Sequence, residues 1–133
     1  MRVPPWTVPL LVLLCAALGL AGARFLVRPS VVLDLAQAPS DADLRTTVLV
    51  VGGLFCVDTA ERAAGQLDGL PGVFRFTAFA SRNRAEVLYD PAVATVESIR
   101  KAIEGPIYDK KTGEFLFGLY RVVEADGVKY SAP

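Results

Sequence analysis

The sequence predicts an α+β fold in which one antiparallel sheet carries two helices on a single face. Three observations lead there. Strand-like stretches alternate apolar and polar residues over 73–80 and 84–90, which is the period-2 signature of strands with one buried face. Two stretches, 60–70 and 96–103, instead space their apolar residues as a helix does. The order in which they occur is β-α-β-β-α-β.

The first strand is 46-TTVLVV-51, β-branched or aliphatic on both faces, which suits a central position. Gly52 and Gly53 end it. The following helix is expected to start near Asp58, with Asp58 as cap and Glu61 completing a capping-box-like pair. Ala60, Ala63, Ala64, Leu67 and Leu70 form its stripe, and the small alanines let it lie close to a sheet. Pro71-Gly72 stops it. In the second strand Phe74, Phe76, Ala78 and Ala80 share a face. In the third, Ala85, Val87 and Tyr89 do, and Ser81-Arg82-Asn83 makes the turn between the two. Thr95 caps the second helix, whose stripe is Val96, Ile99 and Ile103, and Gly105-Pro106 ends it. Lys110 to Gly113 and Asp126-Gly127 are turn signals, so a fourth strand is expected near 114–123 with a short hairpin return. Together these elements make a ferredoxin-like βαββαβ sandwich with a C-terminal β-hairpin extension.

An apolar segment precedes the domain. Residues 3-VPPWTVPLLVLLCAALGLAGA-23 carry no charge and are flanked by Arg2, Arg24 and Arg28. It reads either as a cleaved secretory signal, with Ala21-Gly22-Ala23 before the cut, or as a retained transmembrane helix. The location follows: single-pass in the membrane, or exported if the segment is removed. A buried core helix is a poor reading, because such a helix needs a polar face. The expected organisation is therefore 1–23 anchor or signal, 24–43 linker, 44–108 folded domain and 109–133 extension. The Val31–Leu35 run is the one part of the linker with strand character.

Lys plus Arg and Asp plus Glu both number 14, for a formal net charge of zero. Nothing in this balance resembles the basic footprint of a nucleic-acid binder. Histidine is absent, which removes Ser-His-Asp and Cys-His catalysis and any zinc site needing imidazole. Cys15 lies in the apolar segment, so the folded part holds one thiol, Cys56, just ahead of the first helix. A helix N-terminus favours thiolate, while the nearby Asp58 opposes it.

Several stretches together resemble the heavy-metal-associated domain of copper chaperones, soft-metal ATPase modules and periplasmic mercury scavengers. They are Gly53-Leu54-Phe55-Cys56-Val57-Asp58-Thr59, Leu70-Pro71-Gly72-Val73, Val87-Leu88-Tyr89-Asp90-Pro91 and Ile99-Arg100-Lys101-Ala102-Ile103-Glu104, closing at Tyr108. The resemblance covers residues 48–108. It implies the fold above, and Cu(I) or Hg(II) held between two thiolates. The first thiolate maps onto Cys56 and the second onto Thr59, while the usual methionine maps onto Leu54. Tyr108 maps onto an aromatic position that shields the metal loop, or simply packs in the core. A threonine hydroxyl is hard and stays protonated, so the two-sulfur site does not form within one chain.

Two functions stand from these residues, neither enzymatic. One is a membrane-associated soft-metal binding or relay protein with Cys56 as its metal ligand. A second sulfur would then come from a homodimer partner, a metal-transporting ATPase or other cysteine-bearing protein, or a small thiol. The other is a structural or partner-docking module that binds no metal. An intermolecular disulfide or redox-sensor role for Cys56 is a third possibility. Acylphosphatases share the topology, but their first loop needs an arginine and residues 52–59 have none.

Overall fold

The computed structural model describes residues 4–25, 28–108 and 111–131. Strand β1 is Val31–Asp34 and β2 is Arg45–Gly52; helix α2, Val57–Leu67, follows helix α1, Thr7–Phe25, in chain order. Then come β3 (Val73–Phe79), a 3₁₀ turn at Ala80–Arg82, β4 (Arg84–Tyr89), α3 (Val96–Ile103), β5 (Ile107–Tyr108), β6 (Phe115–Phe117), β7 (Arg121–Ala125) and β8 (Val128–Lys129). The main sheet runs β1-β3-β4-β2-β7-β8 and every pairing is antiparallel. Its inner four strands, β3-β4-β2-β7, with α2 after the first in sequence and α3 after the third, make the expected ferredoxin-like unit.

The buried side chains form one cluster. Thr47, Leu49 and Val51 alternate inward along β2, and Phe76 and Ala78 do so on β3. Ala85, Val87 and Tyr89 of β4 and Val122 and Ala125 of β7 complete the sheet's inner face. Against it lie Ala60, Ala63, Ala64 and Leu67 of α2 and Ile99 and Ile103 of α3. Both helices share this core, so both cover the same face. The three alanines are essentially unexposed, which lets α2 approach the sheet closely, as their size predicts. At α3 the Thr95 hydroxyl accepts from Ser98 N at 3.1 Å while the Ser98 hydroxyl accepts from Thr95 N at 3.0 Å, a reciprocal cap.

Four elements differ from the sequence reading. Residues 31–34, within the stretch of the expected linker that has strand character, form an edge strand on β3. Phe74 does not share the Phe76 face fully, because the register passes from Val73↔Tyr89 to Arg75↔Leu88 and loops Phe74 out of the ladder. The closing strand is Arg121–Ala125, not 114–123. Phe115–Phe117 pairs back on Ile107–Tyr108 in a separate two-stranded sheet, and Gly118 separates it from β7. An inserted hairpin therefore lies between α3 and the closing strand; Lys110, part of its expected turn, lies outside the described residues.

The fourth correction concerns the N-terminal segment. Among the described residues no helix is long and apolar enough to cross a membrane. The uncharged helical run Thr7–Ala23 rises about 26 Å at 1.5 Å per residue, short of a hydrocarbon core of about 30 Å. The expected single-pass membrane location is overturned.

The expected turn at Asp126-Gly127 is present as a two-residue hairpin with φ of 48° and 83°, the left-handed pair such loops require. The Asp126 carboxylate also accepts from the Thr47 hydroxyl and from Val48 N, both at 2.8 Å, and Asp126 N donates to Val48 O at 2.8 Å. This fastens the edge hairpin to β2 and satisfies the fully buried Thr47. Asp126→Ala strands that hydroxyl and places alanine in left-handed backbone, so a loss of about 2–3 kcal/mol is expected in denaturant unfolding. Asp126→Asn, which tolerates the conformation and keeps one acceptor, is expected to cost less than half as much.

Candidate functional site: the Cys56 loop

Strand β2 delivers the chain to one end of the sheet, and antiparallel pairing brings the end of α3 and the start of β7 to that same end. The turn 52–56 therefore lies beside the segment that follows α3. Gly53 has φ of 97°, and a Cβ there would come 2.4 Å from the Leu119 carbonyl oxygen. Only glycine satisfies both conditions. Leu54 is fully buried beneath the turn, filling the place that the resemblance assigns to methionine. The next residues point outward: Phe55 is 72% exposed, Val57 is 47% exposed, and Cys56 between them is exposed with a free thiol.

Cys56, rather than Asp58, is the N-cap of α2, with extended backbone and its carbonyl accepting from Ala60 N at 3.0 Å. Its sulfur faces the backbone N–H of Thr59, the third helical residue, and the Thr59 side chain returns the interaction. Thr59 Oγ1 accepts from Phe55 N and from Cys56 N, each at 2.9 Å. Its single proton is shared between the Cys56 carbonyl at 2.9 Å and the Cys56 Sγ at 3.6 Å. Cys and Thr thus play the parts that Ser and Glu play in an ordinary capping box. Asp58 lies one residue inside the helix and does not cap. The sequence missed this because cysteine is not a usual cap; the signal was the i, i+3 spacing of Cys56 and Thr59.

The cap also sets the thiol's charge. The Thr59 backbone N–H and then its hydroxyl hold the Cys56 thiol below the ordinary range, against desolvation and the Asp58 carboxylate, which push it up. Hydrogen bonds to the charged form outweigh the nearby like charge.

The aromatic that closes over the loop is Tyr120, not Tyr108. Tyr120 is almost fully buried and its hydroxyl donates to the Thr59 carbonyl. Burial, with a smaller push from Cys56, raises its phenol against the pull of Arg62, so it stays a donor. Tyr108 is 57% exposed and meets Phe115 edge-on at 5.9 Å. The β5–β6 hairpin lies between Tyr108 and Tyr120 in the chain. The segment is held by Glu104, whose Oε1 accepts from Val122 N at 2.9 Å and whose Oε2 meets Arg100 at 3.1 Å. Arg100 also stacks over Tyr130 at 4.7 Å.

Asp90, in the stretch that ends at Pro91, is a turn residue away from the loop. It lies at the opposite end of the sheet, where Oδ1 accepts from Ala92 N at 2.8 Å in a turn. A cleft of 660 Å³ between α3 and β7 is lined by Arg100, Glu104, Tyr120, Arg121 and Tyr130 and does not include Cys56. Among the described residues no group of three His, Cys, Asp or Glu is placed to hold a metal. What the loop offers chemically is one exposed thiol whose charged form Thr59 favours, at the start of α2.

No family model matches the sequence, and no curated protein matches it. Among solved structures it is similar to a copper-binding domain from HMA7, a P-type ATPase, at 22% identity and a TM-score of 0.44, over 62% of this chain and 97% of that one. A likeness this remote says nothing of what the present chain binds, and the fold stands on its own strand order.

Thr59→Val removes the hydroxyl and leaves the backbone N–H. In a Cys15→Ala background, the pH midpoint for iodoacetamide alkylation of Cys56 is expected to move up and the rate at pH 7 to fall, since thiolate is the reacting form. Loss of the returned cap is expected to cost about 1 kcal/mol in stability.

Proposed function

We propose that this chain is a non-enzymatic soft-metal binding or relay module in which Cys56 is its thiolate ligand and a Cu(I)- or Hg(II)-type ion is the cargo. The observation that supports this reading is the exposed Cys56 sulfur, held toward its thiolate form by Thr59 at the start of α2. Thiolate is the ligand such ions select. The second sulfur comes from outside the chain: a second copy, a small thiol, or a cysteine-bearing partner such as a metal-transporting ATPase. Transfer then proceeds by ligand exchange. The Cys56 thiolate bonds to a metal held by the donor's sulfur, the ion is shared, and the donor sulfur leaves as the metal passes on.

One observation favours a second reading, a partner-docking module that binds no metal. Thr59 is not idle at the second ligand position. It closes the helix end with four hydrogen-bonding contacts, so the loop is complete as a purely structural turn.

Anaerobic titration of the full chain with Cu(I) against a chromogenic chelator, beside Cys56→Ala and Cys15→Ala, separates the two. The metal reading expects wild type and Cys15→Ala to withdraw copper and Cys56→Ala not to, with a shift to dimer at half a metal per chain if a second copy supplies the sulfur. Copper left with the chelator by wild type and Cys56→Ala alike would sink it.

Thr59→Cys tests the geometry independently. Thr59 Oγ1 and Cys56 Sγ already face each other at 3.6 Å, so a thiolate at 59 is expected to raise Cu(I) affinity by roughly 100-fold or more, as a second soft ligand should. The same competition titration reads it; an unchanged affinity would mean the loop cannot bring two sulfurs onto one ion.

A further inference from the structure

We draw no further inference here: the strongest candidate, the exposed apolar end of the domain where Phe55 and Val57 flank Cys56 and the β5–β6 hairpin presents Tyr108 and Phe115, carries nothing because nothing in the structure shows what covers it.

Discussion

The Thr59 hydroxyl holds together the end of the sheet that carries the Cys56 loop. A helix begins with backbone N–H groups that have no partner inside it, and they must be met by side chains, water or a ligand. Here the two amides entering the helix, Phe55 N and Cys56 N, both donate to Thr59 Oγ1. Because the same hydroxyl donates to the Cys56 carbonyl, it fixes the backbone on either side of the Cys56 Cα. Because Thr59 also addresses the sulfur through its N–H, the thiol is oriented by the same residue that closes the turn. Threonine is well suited to this: its β-branched side chain has little rotamer freedom to lose, and its hydroxyl both donates and accepts. A sulfur at 59 would accept those amide bonds more weakly, so capping and two-sulfur coordination draw on the same position.

Tyr120 extends that constraint into the rest of the fold. Its hydroxyl reaches the Thr59 carbonyl from the start of β7, and Gly53 permits the close backbone approach to Leu119 that brings it there. The link between α3 and β7 is long enough to have folded into a hairpin of its own, yet its far end is bound at three places: Glu104 to Val122 N, Leu119 against Gly53, and Tyr120 to Thr59. The hairpin is therefore inserted without loosening the closing strand. Asp126 does the corresponding work at the opposite end of β7, tying its turn to Thr47 and Val48 of the central strand.

What was legible in the sequence is what local pattern encodes. The periodicity of α2 and α3, the Thr95 cap, the Asp126-Gly127 turn and the central place of β2 are each stated by a few adjacent residues. What was not legible depends on pairing at a distance. The β1 edge strand exists because β3 offers it a partner. The bulge at Phe74 cannot be seen without β4 opposite. Phe115–Phe117 has the composition to be the closing strand and loses that place to Arg121–Ala125, since it pairs with the chain just upstream. The resemblance directed attention to Tyr108 for the same reason: it counts residues, and the β5–β6 hairpin stands between Tyr108 and the Tyr120 that bonds Thr59. At the loop, the exposed thiol ahead of α2 was placed from sequence, whereas Thr59 was read there only as a position lacking a second sulfur and not as the residue that closes the cap.

The Cys56 thiol is free and exposed at the start of α2. Phe55 and Val57 are turned out beside it, so the sulfur is approached from solvent and not from within a pocket. A soft ion bound to this sulfur lacks the chelate advantage that a second thiolate on the same turn would give, because a second ligand from outside must be brought in at an entropic cost. Weak holding is a defect in storage. In a relay it is an advantage, since an ion held by a single protein bond is readily displaced by an incoming sulfur and no resident chelate has to be broken. In the proposed relay, the Thr59 cap would keep the turn formed without an ion, so that neither loading nor release would need to refold the helix end.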